Sequence, residues 1–197
     1  MTAHKAKGRI AKADAKTVKA ARPLQPSKTM KVLGAISDVA DQPPLYRLSA
    51  GVALAGMVTF NGRLARAGFR MFASEWLATK LKSAVKHHVD RNRPDQVASG
   101  AGEIRSGNSH ATALSSFPSG HTAGAVAVAQ ALSREYPEYR VAATTAAAAA
   151  AILQVPRLHH YPSDIAAGAG VGLIAEGIVN AVTPGKKSPK GNGSTVN

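Results

Sequence analysis

The 197-residue chain carries 25 Lys and Arg against 11 Asp and Glu, a formal charge of +14, and it has no cysteine. The missing thiols exclude a disulfide scaffold, a thiolate nucleophile and a cysteine-type zinc or iron–sulfur centre. The positive charge points to polyanionic partners: nucleic acid, anionic lipid headgroups or phosphorylated substrates. Aromatic residues are only 5%, and alanine is abundant, most visibly at 146–151. That mix favours helices packed through small side chains. No β-branched run alternates with period two, so no strand is expected. The expected fold class is all-α, a helical bundle of about five to six helices.

Residues 1–31 hold Lys5, Lys7, Arg9, Lys12, Lys16, Lys19, Arg22, Lys28 and Lys31 against one acid, Asp14. They read as a mobile basic tail, either a solubilising arm or an anchor on anionic lipid at about 1 kcal/mol per basic residue near the surface. The tail has no apolar h-region, so neither a secretory signal peptide nor a soluble periplasmic enzyme is expected. The expected division is a disordered basic tail at 1–29, a helical domain at 30–184 and a disordered polar tail at 185–197.

Within the domain, 30–41 reads as a short amphipathic helix stopped by Pro43 and Pro44. An apolar stretch at 47–60 is broken by Asn61-Gly62. A helical pattern runs from about 64 to 92 and ends before Pro94. Residues 95–117 are Gly-, Ser- and Ala-rich and read as a long surface loop, a length that is usually functional or disordered. Helices follow at about 119–134, 139–155 and 163–182. The apolar stretches 47–60, 141–153 and 165–182 are each shorter than the ~20 residues of a spanning helix. Glu176 and Asn180 interrupt the last. Hydropathy alone leaves a membrane bundle and a soluble alanine-rich bundle both open.

Three segments carry chemistry. In Lys86-His87-His88-Val89-Asp90-Arg91-Asn92-Arg93-Pro94, Lys86 and Arg93 are two helical turns apart on one face, with about 10.5 Å between them along the axis. Their long side chains can converge on one anion. The plainer reading is a basic helix end complementing its dipole. In Phe117-Pro118-Ser119-Gly120-His121, Ser119 is a good N-cap and Gly120 lets a ligand approach the backbone. A helix N-terminus there can hold an anion, with His121 beside it as a proton donor. An ordinary cap with a surface histidine is the alternative. In Pro156-Arg157-Leu158-His159-His160-Tyr161-Pro162-Ser163-Asp164, the Asp164 carboxylate can accept the Nδ1–H of His160, fixing the tautomer and leaving Nε2 free to attack. A capping arrangement at the helix start explains the same spacing.

The three segments, in this order, resemble the phosphatidic acid phosphatase type 2 and vanadium haloperoxidase superfamily over roughly residues 47–182. Its pattern is Lys-x6-Arg-Pro, then Pro-Ser-Gly-His, then Ser-Arg-x5-His-x3-Asp. The first two motifs are complete, and the third keeps His160-x3-Asp164. The family's Ser-Arg pair falls on Leu153-Gln154, where Gln154 brings no charge. Arg157 is the candidate to replace it. The resemblance implies a phosphatase acting through a phosphohistidine. Lys86, Arg93, Ser119, Gly120 and either Arg157 or Gln154 would hold the phosphate. His160, oriented by Asp164, would attack phosphorus, and His121 would protonate the leaving group. No metal and no cofactor are expected, because cationic side chains neutralise the phosphate. His87, His88 and His159 match no catalytic position and read as exposed or helix-end residues.

The resemblance further implies a multi-pass enzyme of a bacterial-type inner membrane acting on a phosphorylated lipid or prenyl pyrophosphate, with the basic tail on anionic lipid. Nucleic acid is not the expected partner, and a cytoplasmic location is the alternative. The positive-inside rule puts the site toward the cytoplasm, whereas lipid phosphatases of this family usually face away from it. Competing readings are a soluble broad-specificity phosphatase on the same bundle, a vanadate-dependent haloperoxidase, and a degenerate basic protein that binds phosphate, nucleic acid or membrane without turnover.

Overall fold

The computed structural model of the protein describes residues 2–98, 102–109 and 111–183, so the expected disordered tail at 185–197 lies outside the described residues. The described residues form seven α-helices: α1 Thr2–Ala21, α2 Lys28–Ser37, α3 Gln42–Val58, α4 Gly62–Lys86, α5 Gly120–Glu135, α6 Arg140–Ile152 and α7 Pro162–Val182. The all-α expectation holds. Two of the seven, α1 and α2, lie before the five helices that form the bundle.

Local chemistry sets the helix ends. Ser27 caps α2 through Met30 N, Asn61 caps α4 through Leu64 N, and Ser119 caps α5 through Thr122 N. Pro43 and Pro44 do not stop a helix. They sit in the first turn of α3, where a missing amide costs no hydrogen bond. One short antiparallel pair is present, β1 Val89–Asp90 with β2 Arg105–Ser106, in the register Val89 to Ser106 and Asp90 to Arg105. The expected loop therefore has structure of its own, anchored against the segment that follows α4.

Helix α5 is central and packs on α3, α4, α6 and α7. Its contact with α4 and α7 is built from Ala78, Ala123, Ala127 and Ala175. On α7, Gly168 and Gly172 let the backbones touch: a Cβ at Gly172 would lie 2.5 Å from the Ala123 carbonyl oxygen. This small-xxx-small packing is common between membrane helices. The polar side chains in the second half of α7 are paired as well. Glu176 accepts from Arg134 at 3.1 and 3.3 Å, and Asn180 accepts from Arg70 at 2.5 Å.

Among the described residues one helix, Pro162–Val182, is long and apolar enough to cross a membrane. The apolar stretch itself begins at 165, and the cap at Tyr161 lengthens the helix to 21 residues. Around the bundle Leu54, Met57, Phe69, Trp76, Leu173, Ile174 and Ile178 are exposed, more large apolar surface than isolated exposed residues would give.

The N-terminal segment departs most from expectation. Residues 2–21 are helix, and the face that carries Asp14 and Val18 is buried. Val18 packs with Leu158 and Tyr161, and the Arg22 guanidinium donates to the carbonyls of Pro94 and Val97 at 3.0 and 2.8 Å. A segment with a buried acid, a buried valine and long-range hydrogen bonds is not a mobile tail. The physical reason is that Asp14 is neutralised by a buried cation from elsewhere in the chain.

Candidate active site

Helix α4 ends at Lys86, capped by the His87 amide on Ser83 and Val85. The chain then runs extended. The amides of Arg91 and Arg93 donate to Leu114 and Ala113 at 2.8 and 3.0 Å, and Ser116 N returns a bond to Arg91 O at 3.1 Å. Lys86 and Arg93 therefore do not share a helix face. They are brought together by this ladder, in which Lys86 Nζ donates to Ser115 O at 2.6 Å. The charges of Arg93, Lys82 and Asp164 bear on Lys86. His87 and His88 are exposed at the end of α4.

Ser119 and Gly120 open α5. The Ser119 side-chain oxygen accepts from Thr122 Oγ1 at 3.0 Å, and its amide donates to the Asp164 carbonyl at 3.0 Å. The second motif is thereby tied to the third. Gly120 lies against Lys82: a Cβ there would be 2.8 Å from Lys82 Nζ. Lys82, which the sequence reading did not single out, thus stands beside the backbone expected to bind phosphate. It also donates to Gln42 at 3.1 Å. His121 Nε2 lies 3.7 Å from Asp41 and 3.9 Å from Asp38. Among the described residues, His121 Nε2 and Arg93 Nε are buried without a hydrogen-bond partner.

The third motif turns sharply. Leu158 has φ 58°, a left-handed conformation uncommon for leucine, and its carbonyl accepts from Asp95 N at 3.2 Å. This joins the turn before His160 to the segment after Arg93. His160 is 3% exposed. Its Nδ1 donates to the Ser116 carbonyl at 2.7 Å, so the neutral ring leaves Nε2 unprotonated. The expected direct bond to Asp164 is not formed: Asp164 Oδ2 is 3.8 Å from Nδ1. That carboxylate instead accepts from Ser116 Oγ at 2.6 Å and Tyr161 N at 2.9 Å, and its other oxygen accepts from Arg91. Ser116 therefore stands between Asp164 and His160 as the link. The Tyr161 bond is also the helix cap of the plainer reading, so Asp164 serves both.

Burial pushes His160 below the ordinary histidine value; Asp164 opposes this, and Lys86 and Arg93 add to it. Burial likewise lowers His159, to about 4, with Arg157 and Arg93 contributing. The His121 and His160 rings are 6.5 Å apart, centroid to centroid, and nearly edge-on.

The two candidates for the third phosphate ligand are both engaged with α2. Gln154 is fully buried, with Nε2 donating to Ser37 Oγ of α2 at 3.5 Å and to Ala150 O of α6 at 3.0 Å. Arg157 donates to Ser37 Oγ at 2.7 Å and to Asp38 at 2.6 Å. Its charge still bears on His121 and His159.

Sequence reasoning missed Arg91, Asp14, Ser116 and Lys82. Two of them left a trace. Asp14 is the single acid among the first 31 residues, and Lys82 precedes Lys86 by one helical turn. Ser116 acts largely through its carbonyl, which no motif can mark.

Fold and site together define a helical protein that gathers Lys, Arg, Ser-Gly-His and His-Asp at one end of a bundle. Residues 63–187 match the PAP2 superfamily, and the chain belongs to it. A crystal structure of a transmembrane PAP2-type phosphatidylglycerolphosphate phosphatase from Bacillus subtilis has the same fold, with a TM-score of 0.64 at 22% identity over 92% of this chain and 87% of that one. Lipid A 1-phosphatase of Porphyromonas gingivalis is 34% identical over 113 residues. These are 53% of this chain and 22% of that protein, so the chain spans about a fifth of that relative's length.

Proposed function

We propose that the protein is a membrane phosphatase that hydrolyses a lipid phosphate or pyrophosphate monoester through a phosphohistidine on His160. The observation that carries this is the commitment of His160 Nδ1 to the Ser116 carbonyl, which leaves Nε2 as a free nucleophile beside the cations of the first motif. Support comes from membership of the PAP2 superfamily and from two relatives that are lipid phosphatases by name. The apolar belt and the candidate span of α7 support a site at the edge of a bilayer. The proposal includes a multi-pass arrangement in a bacterial-type inner membrane.

Lys86, Arg93, Lys82 and the amide of Gly120 hold the phosphate oxygens, with Ser119 keeping the start of α5 in place. Nε2 of His160 attacks phosphorus as the P–O bond to the lipid breaks. His121 gives a proton to the departing oxygen, with Asp38 and Asp41 supplying negative charge beside its ring. Water then attacks the phosphohistidine, His121 takes a proton from it, and His160 leaves as the neutral imidazole. Asp164 stabilises the positive charge that His160 carries while phosphorylated. The work is positioning and fixed charge. Arg157 is the fourth cation of the site, exchanging Asp38 for phosphate when substrate binds.

The test is phosphate release by detergent-purified protein from phosphatidic acid, a prenyl pyrophosphate and p-nitrophenyl phosphate, in EDTA. Release by the wild type, abolished in His160→Ala, is expected. Equal release by both proteins, or none from any substrate, overturns the proposal.

A further inference from the structure

Helix α1 has two faces of opposite character. At 100° per residue, Asp14, Val18 and Ala21 fall on one stripe, and all three are buried. Arg9, Lys12, Lys16 and Lys19 fall on the opposite stripe, and all four are exposed. The only acid on the helix is Asp14, so nothing on α1 neutralises the outer stripe.

The inner face ends in the proposed site. Asp14 accepts from Arg91 at 2.7 Å and from Ser163 N at 3.1 Å. Arg91 is 2% exposed, lies 3.9 Å over the Tyr161 ring and bridges Asp14 to Asp164. Asp164 holds Ser116, and Ser116 holds His160. A buried guanidinium between two carboxylates needs both for full pairing. Helix α1 lies where the candidate span found among the described residues begins, because Asp14 on its inner face touches Ser163 in the first turn of α7. A helix at that level, with a continuous basic stripe, fits the headgroup layer.

We infer that α1 is an interfacial clamp: its Arg9, Lys12, Lys16 and Lys19 stripe binds an anionic bilayer surface, while Asp14 on the opposite face holds Arg91 and thereby the histidine of the site. The coupling to catalysis rests on the proposed phosphatase reading; the lipid contact does not. Each basic residue near an anionic surface gives about a fivefold gain in partition, so four give roughly several hundredfold at low salt. Binding of α1 to the bilayer then favours the docked helix over an undocked one.

The chain has no cysteine, so Ala13→Cys places one label on the exposed side of α1. The full-length labelled protein is embedded in nanodiscs of phosphatidylcholine with or without phosphatidylglycerol, with a quencher at headgroup level. Quenching severalfold stronger in the anionic discs is expected, reversed by high salt and by K12E/K16E/K19E. Equal quenching in both discs overturns the lipid contact. So does a label that responds only to a short DNA duplex, which would make the stripe a nucleic-acid surface.

For the positioning half, Asp14→Asn should speed hydrogen exchange at 113–118 and 158–164, a readout that needs no turnover. It should also lower kcat about tenfold with KM nearly unchanged. The acid limb of the rate profile should move to lower pH, because Arg91 loses one of its two carboxylates and draws more fully on Asp164, the carboxylate that supports a protonated His160 against Lys86, Arg93, His121 and His159. General destabilisation would lower the rate without moving that limb. Unchanged exchange at both segments overturns the positioning role, as does a rate loss with the limb in place.

Discussion

Asp164→Asn keeps the shape of the side chain and removes its charge. The carboxylate lies 3.8 Å from His160 Nδ1. Unit charges about 4 Å apart interact by about 4 kcal/mol at an effective dielectric constant near 20. Arg91 holds the other carboxylate oxygen and cancels part of that field, so about 2 kcal/mol of support for the phosphorylated imidazolium remains. Weakening the Ser116 hydrogen bond that orients the ring adds up to about 1 kcal/mol. At about 1.36 kcal/mol per tenfold, kcat should fall roughly 30- to 150-fold. Ser116→Ala retains the carbonyl that binds His160 and should cost only about fivefold, or about 1 kcal/mol. The assay is initial-rate phosphate release at saturating substrate, well below the unfolding midpoint, with the fold monitored by circular dichroism. A folded Asp164→Asn enzyme within threefold of the wild type would refute the charge-support argument.

Stability should fall as pH is lowered from about 6.5, because the unfolded chain binds protons at His159 and His160 before the folded one does. The loss continues down to their depressed folded values, about 4 for His159. Thermal midpoints of a His159→Gln/His160→Gln double variant should flatten that slope; an unchanged slope contradicts the buried neutral state. Arg157→Gln should raise KM about tenfold, and Asp38→Asn should lower KM about threefold by releasing Arg157 to phosphate, on the scale of one charge-assisted hydrogen bond. If both variants leave KM unchanged, Arg157 is only a strut to α2. Glu176→Ala removes the acid shared by Arg134 and the buried Arg70, and should cost about 3 kcal/mol in unfolding without changing KM.

The helices of the bundle were legible because alanine, capping residues and Pro or Gly breaks mark them locally. Ser119, Asn61 and the Pro162 turn are examples. The order of the three motifs was legible for the same reason. The end of α4 was not. Val85-Lys86-His87-His88 continues a helical pattern, and the chain leaves it only because the 113–116 segment offers Arg91 and Arg93 backbone partners 20 or more residues away in sequence. The His160–Asp164 spacing suggested a direct bond, but the same carboxylate is claimed by Arg91, Ser116 and Tyr161. A basic N-terminal segment reads as solvated by composition. Only the partner of Asp14, 77 residues away, shows why it docks.

The central claim is that His160 carries the phosphoryl group. The most direct measurement is mass spectrometry of the peptide containing His160 after rapid alkaline quench during turnover, in wild type, His121→Ala and His160→Ala proteins. The account predicts a phosphorylated His160 that accumulates in His121→Ala, where proton transfer to and from the reacting oxygens is slowed, and is absent in His160→Ala. Turnover with no phosphorylated histidine in any of the three, or phosphorylation at another residue, would contradict it.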